Sequence, residues 1–475
     1  MTFGITGLGG YLPSLRLDRK AASRELSWSG LPMPRAGFRT VASWDEDALT
    51  MAVEAARSLC AGVVPSALRF VSTSAYFTDR AQSAIMVDAL ALPRTVRTSD
   101  CANSRRAATS ALLDALLSGR DEMVVAAERR PTQPGSAAQL AFGDGAAAVR
   151  TGPDGAARLV GHASLTHDLV DRYSSQEHPF SYAYEERFVR DVSAKELLIP
   201  AVQAACASAG IAPAQVAHVA CAEPVGATWR AVAKAVGCSA PNHCEGLSQQ
   251  AGDLGTAHAL FGLGLALAAA RPGDFVLLLG FGSGVDALVF EMTSSVPGAD
   301  TMAAAVSEGQ ALTSYSRFLS LSGSLALDWG MRSEFEQKAQ ATVLERVGRD
   351  TIGFIGGRDS TGNVQFPKSA MPVNPVLDKP EVLQDVPLAG LEATIVSVTA
   401  DRLNFTPDPP FDFGLVQFDN GARVLMEMVD RPESGFSVGQ RVRMRLRIKA
   451  QNAKLGFRTY FWKAAPLVRP FLGDA

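Results

Sequence analysis

Residues 98–119 read TSDCANSRRAATSALLDALLSG. Ala107, Ala108, Ala111, Leu112, Ala115 and Leu116 recur at helical spacing, so the segment predicts a buried helix with one apolar stripe. Cys101 stands just before that helix. A thiol at a helix N-terminus meets the positive end of the peptide dipoles and several unpaired N–H groups, and both favour thiolate. Arg105 and Arg106, one turn on, push the same way, although cations belong at the other end of a helix. The residues alone leave two readings: an activated nucleophile, or a small hydrophobe filling a gap.

Outward from this segment, short β-branched runs alternate with Ala/Leu-rich stretches. RFVSTSAY at 69–76, a helix near Ser83–Leu92, EMVVAAE at 122–128 and GAAAVRTG at 145–152 predict a layered α/β domain. AFGDGAAAV at 141–149 and LLLGFGSGVDALVF at 277–290 occupy corresponding places in two halves, each with an Ala-rich helix, near 103–118 and 256–270. That pattern predicts an internal duplication. After Met292, TSSVPGAD reads as a linker and Ala311–Gln340 as polar, helical connecting material. From Thr351 the pattern turns all-β: LEATIVSVT, FGLVQFDNGARVLMEMV with a hairpin turn at 419–421, and RVRMRLRIK. Such strands fit a small barrel of the OB type. The divisions expected are 1–165, 166–297, a linker with a helix at 298–350, and a β domain at 351–475.

At 475 residues the chain exceeds one hydrophobic core, and 47% apolar with 20% charged residues is an ordinary globular balance. A net charge of −3 supplies no bulk attraction for nucleic acid or an anionic membrane, so neither is expected as a partner. MTFGITGLGGYLPSLRLDRK lacks the pattern of a secretory signal, and no apolar run is long enough to span a bilayer. A soluble, cytoplasmic protein is expected. The six cysteines form no CxxC pair and read as reduced thiols, at most one of them chemical.

The first 292 residues or so resemble the hydroxymethylglutaryl-CoA synthase branch of the thiolase superfamily, especially its shorter bacterial and archaeal members. GITGLGGYLPSLRL at 4–17, VASWDEDALTMAVEAAR at 41–57, the Cys101 segment, FGDGAAAV and PGDFVLLLGFGSGVDALVF carry the resemblance. It implies the condensing-enzyme fold, a five-layered, duplicated αβαβα arrangement. It also implies that Cys101 takes an acyl group from CoA as a thioester. The backbone N–H groups of Cys101 and of the turn Phe281–Gly284, with Ser283 at its middle, would hold the oxyanion. Three places depart from the synthases: Thr73 stands for the acid/base Glu, Ala222 for a His, and Asp253 for an Asn. A related subgroup shares the GDLGTAH pattern and the Tyr182–Asp191 segment, which makes His258, with Asp253 beside it, the expected base. The alternative is that both residues cap the helix. His243 beside Cys244 is the competing histidine.

Residues 351–475 resemble the OB-fold domain with a zinc ribbon that accompanies many acyl-CoA thiolases. The four ligand places read Arg358, Thr361, Met371 and Asn374, so no zinc is expected. Arg441, Arg443, Arg445, Arg447 and Lys449 share one strand face, read as solvated or, alternatively, as meeting CoA phosphates. Together the resemblances imply an acyl-CoA acyltransferase performing Claisen-type condensation or thiolytic cleavage, with CoA as substrate and no permanently bound cofactor. The alternatives are a hydroxymethylglutaryl-CoA synthase-like or retro-aldol enzyme, or a silent scaffold for a second thiolase-like subunit. A homodimer is implied by the resemblance alone.

Overall fold

A computed structural model describes residues 3–31, 33–34, 36–183, 185–327, 348–369, 373–377, 379–452 and 456–467. The strands β1 (Phe3–Tyr11), β2 (Ala67–Val71), β3 (Arg97–Cys101), β4 (Glu122–Glu128) and β5 (Gly145–Pro153) come from the first half of the domain. The second half supplies β6 (Ala157–Thr166), β7 (Val216–Cys221), β8 (Phe275–Phe281) and β9 (Gly284–Met292). Their order in one sheet is β7-β8-β9-β6-β1-β5-β4-β2-β3.

The two halves are the same arrangement twice. In the first, β2 pairs in parallel with β3 and β4, and β5 runs antiparallel to β4 and β1. In the second, β7 and β8 are parallel, and β9 runs antiparallel to β8 and β6. A single parallel bridge, Val219 to Asn242, stands where β3 stands in the first half. The strands of the two halves pair at Gly4–Ile5 against Ala157–Arg158. The repeat restarts at Ala157, so the division expected at 165 falls at the end of β6.

Helices α1 (Ala48–Ala56) and α2 (Gln82–Ala89) cover the outer face of the first half, and α4 (Ile199–Ser208) and α5 (Thr228–Val236) lie outside the second. Between the halves lie α3 (Ala107–Ser118) and, after α6 (His243–Gln250), α7 (Thr256–Ala269), each touching strands of both. Five layers result. The middle position explains the sequence of α7, TAHALFGLGLALAA, which is apolar on every side. Strands covered on both faces are likewise continuous apolar runs, as in β8 (FVLLLGF) and β4 (EMVVAAE). Gly280 on β8 admits α3: a Cβ there would sit 1.9 Å from Thr109 Oγ1.

The segment after Met292 is more ordered than a linker. Ala299–Val306 is a helix packed on β1 and α7, and Gln310–Leu312 adds a parallel strand to the small sheet of Leu15–Asp18 and Phe38–Val41. Part of the helical stretch expected at 311–340 lies outside the described residues. Beyond it, β10 (Ala393–Ile395), β11 (Thr399–Asp401), β12 (Phe411–Phe418), β13 (Arg423–Glu427), β14 (Arg441–Asn452) and β15 (Phe457–Pro466) make the separate barrel. The DNG sequence turns the β12–β13 hairpin.

The basic face of β14 corrects the reading from periodicity. Arg447 is fully buried, 2.8 Å from both Glu46 and Asp430. Arg445 meets Glu54 at 2.7 Å, and Lys463 on β15 meets Asp45 and Glu427, each at 2.9 Å. Arg458 and the Tyr460 hydroxyl both reach Asp47. The run VASWDEDALT is thus an acidic plug seated in the barrel, with Asp47 also capping α1. Apolar side chains of α1 and α2 share one core with barrel residues such as Met444, Leu446 and Trp462. Arg441 and Lys449, at the two ends of the stripe, are the members that pair at the surface.

Candidate functional site

Three parallel strands end side by side: Val71 of β2 is level with Cys101 of β3 and with Ala126 of β4. The carboxyl ends of such strands are where loops gather functional side chains. Cys101 is the last residue of β3, half-buried, its carbonyl accepting from Ser72 N–H. It is not at a helix N-terminus: α3 begins at Ala107, after a loop in which Asn103 has φ of 72°. Burial pushes the Cys101 thiol up, with Arg69 pulling it the other way. The expected activating arginines are engaged elsewhere, Arg105 with Asp171, and Arg106 with the Leu165 carbonyl and Asp286. Partial burial and the distance from a helix N-terminus thus both oppose the thiolate expected from the sequence.

The turn between β8 and β9 comes to this loop. Ser104 Oγ donates to the Gly282 carbonyl at 2.9 Å. Ser283 adopts φ of 48°, in the left-handed region that a non-glycine residue occupies only when its surroundings hold it there. Its carbonyl accepts from His167 N–H, and its own N–H has no protein acceptor among the described residues.

His258, in the first turn of α7, is buried. Its Nδ1 accepts from Leu254 N–H at 3.2 Å, so Nε2 carries the proton and faces Ser248 Oγ at 3.1 Å. Burial holds this imidazole below its ordinary value and hence neutral, although the nearby Asp253 opposes that. Asp253 lies between Arg130 and Arg172, 3.1 Å from the latter, and also receives the Gly255 N–H. Despite burial, those two arginines hold its carboxyl well below the usual range. Arg130 and Arg172 in turn lie over the Phe142 ring. His243 belongs to another place: its Nε2 is 3.1 Å from Nδ1 of His218 on β7.

Two carboxyl groups were missed by the sequence reading. Glu128, the buried last residue of β4, accepts from Thr73 N–H and Oγ1 and from Thr256 Oγ1, each at 2.9 Å, and from Ser74 Oγ at 2.6 Å. It thus sets its side chain against Thr73 and ties the β2 end to the first turn of α7. Glu223 follows Ala222 beyond β7, bonded by Thr228 N–H and Asn242 Nδ2, and burial pushes its carboxyl up. An acid ending a run as apolar as EMVVAAE was the available signal for Glu128.

The zinc-ribbon places do not fit a metal. Asn374 Nδ2 donates to Thr361 Oγ1 at 2.8 Å, and Thr361 Oγ1 and N–H both donate to Asp359. These are acceptors and donors already satisfied by one another, with no thiolate or imidazole among them. Arg358 is exposed, and Met371 lies outside the described residues. No helix of the described residues is long and apolar enough to cross a membrane.

Comparison with known proteins agrees with this architecture. The chain is 29% identical to the hydroxymethylglutaryl-CoA synthase of Pyrobaculum aerophilum over 312 residues, 62% of this chain and 88% of that protein. A crystal structure of a hydroxymethylglutaryl-CoA synthase complexed with CoA superposes with a TM-score of 0.58 at 15% identity, covering 72% of this chain and 95% of the other. The 3-oxoacyl-(acyl carrier protein) synthase III of Pseudomonas aeruginosa gives a TM-score of 0.52 at 17% identity, over 62% and 99% of the two chains. Residues 385–447 match the family of the ChsH2 C-terminal OB-fold domain. The fold is that of the thiolase-like condensing enzymes. Within it the chain is similar to hydroxymethylglutaryl-CoA synthases, and it carries a C-terminal OB-fold domain on the same polypeptide.

Proposed function

We propose that this chain is an acyltransferase that captures an acyl group from CoA as a thioester on Cys101. It uses that group in Claisen-type carbon–carbon bond formation or, in reverse, in thiolytic cleavage of a β-ketoacyl-CoA. The observation that carries this reading is the half-buried Cys101 sulfur at a strand end, joined through the Ser104–Gly282 bond to a turn with an open Ser283 N–H. In cleavage, Sγ attacks the β-carbonyl and loses its proton, and the Cys101 and Ser283 N–H groups hold the oxyanion. The bond to the α-carbon then breaks and the departing enolate takes a proton to become acetyl-CoA. A second CoA thiol displaces the acyl group and returns the proton to sulfur. His258 is the proposed proton carrier and Asp253 its electrostatic partner. For His258 to act as a base, its contact with Leu254 or Ser248 must yield, because both ring nitrogens are engaged.

A second reading, hydroxymethylglutaryl-CoA synthase-like aldol addition, is favoured by the carboxylate of Glu128 beside Thr73 and by the raised carboxyl of Glu223 next to Ala222. CoA-linked substrates serve either reading. Homodimer formation is proposed through the exposed edge of β3, and a second thiolase-like subunit is the alternative occupant. Intact-protein mass after mixing with acetyl-CoA or a β-ketoacyl-CoA tests the chemistry. An acyl adduct is expected on the wild type and absent from Cys101→Ala. An adduct that persists in that variant would sink the assignment. Product analysis with acetyl-CoA plus acetoacetyl-CoA then separates the two reactions.

A further inference from the structure

Along most of the seam between barrel and α/β domain, each buried cation faces an acid, as Arg447 faces Glu46 and Arg445 faces Glu54. One more exposed stretch carries a surplus of arginine. A cavity of about 310 Å3 opens between α2, residues 348–352 and β15, with Arg80, Arg94, Arg349 and Arg458 on its wall and Asp88 as the one acid there. Arg80 and Arg94 come from the α/β domain, and Arg349 and Arg458 from the chain leading into the barrel and from the barrel itself. Arg458 is paired with Asp47 at 3.0 Å, while Arg80, Arg94 and Arg349 have no carboxylate partner among the described residues, so positive charge from both sides of the seam is left for an anion to meet.

The arginines are also shaped for such a guest. Arg80 lies over the Phe77 and Phe457 rings, 4.8 and 5.4 Å from their centroids, and Arg458 lies 3.6 Å over Tyr76. Stacking fixes the planes of two guanidinium forks. Arg80 is exposed and has no carboxylate partner among the described residues. Arg94 and Arg349 are exposed and have no ion-pair partner among the described residues. Planar, oriented guanidinium groups bind phosphoryl oxygens two at a time.

We propose that this cavity binds a small molecule carrying two or more phosphoryl charges, of the size of pyrophosphate or the phosphorylated ribose of a nucleotide. The shared chemistry has two sources, the nucleotide end of a CoA-linked substrate or a free phosphorylated metabolite. The site stands on its own geometry and does not depend on the reading of Cys101.

The test uses the full chain, with thermal midpoint and isothermal titration against pyrophosphate, 3′,5′-ADP, CoA and dephospho-CoA at low salt. Pyrophosphate and 3′,5′-ADP are expected to raise the midpoint. The double variant Arg94→Glu/Arg349→Glu, altered at exposed positions, should bind them at least about tenfold more weakly, whereas Arg94→Lys/Arg349→Lys keeps part of the affinity. CoA binding that exceeds dephospho-CoA and competes with 3′,5′-ADP supports the site with a CoA source. Pyrophosphate binding untouched by CoA supports it with a free ligand. The proposal is overturned if no phosphorylated probe shifts the midpoint, or if the glutamate variant binds as tightly as the wild type. Acylation of Cys101 by a phosphate-free pantetheine thioester, measured by mass in the same variant, reports separately on the acyl-transfer reading.

Discussion

Partial withdrawal from water pushes the Cys101 thiol up, and the cation acting against that, Arg69, is itself paired with Glu122. Its alkylation by iodoacetamide should therefore keep accelerating with pH above about 8.5, the ordinary thiol value. A rate already level at neutral pH would contradict the raised value. His258 makes the opposite contribution. Burial keeps it neutral in the fold, so below about pH 6.5 the unfolded chain takes up the proton first. Stability must then fall as pH drops from about 6.5 toward 5, and a His258→Gln variant should show a shallower fall in urea midpoint over that range. Glu128 accepts four side-chain and backbone donors at once. Glu128→Gln turns part of that acceptor into a donor facing donors, and should cost about 1–3 kcal/mol of stability in denaturant unfolding.

At the scale of elements, strand β14 separates two kinds of arginine that alternate identically in sequence. Arg447 is enclosed by Asp45, Glu46 and Asp430, so Arg447→Met leaves buried carboxylates unmatched and should cost about 3–5 kcal/mol, read from urea unfolding. Arg441, paired with Glu392 and Asp419 at the surface, can become Ala with the unfolding midpoint unchanged. Equal effects of the two substitutions would contradict the plug. The hairpin and the alternation of β12 were legible from residues 411–427, because a two-sided strand and its DNG turn are local patterns. What the buried part of that face meets across the seam is not local: Glu54, the partner of Arg445, lies 391 residues earlier in the chain.

For the molecule as a whole, the strand that ends in Cys101 is also the outermost strand of the large sheet. Its residues Arg97–Asp100 are polar and exposed, and one ladder of backbone groups is unpaired among the described residues. An edge of that kind invites a second copy. Sedimentation should give twice the chain mass, and Thr98→Pro, which removes a ladder donor, should shift it toward monomer. The barrel belongs to the same structural whole. Removing residues 351–475 would strand Asp45, Glu46 and Glu54 beside a bared apolar face of α1, and should yield aggregated rather than folded protein.

The alternation of strands and helices, the duplication around two Gly-rich strand ends and the late change to all-β follow from the sequence by itself. Each is a pattern in which neighbours along the chain report on one another, through a period of two or 3.6 residues or a turn. The partial burial of the cysteine, the binding of Asp253 between Arg130 and Arg172, the carboxylate of Glu128 set against Thr73 and the closure of the barrel over the acidic plug came only with the tertiary structure. Those depend on how much water is displaced and which charge stands opposite, and both are sums over groups that folding brings together from distant parts of the chain.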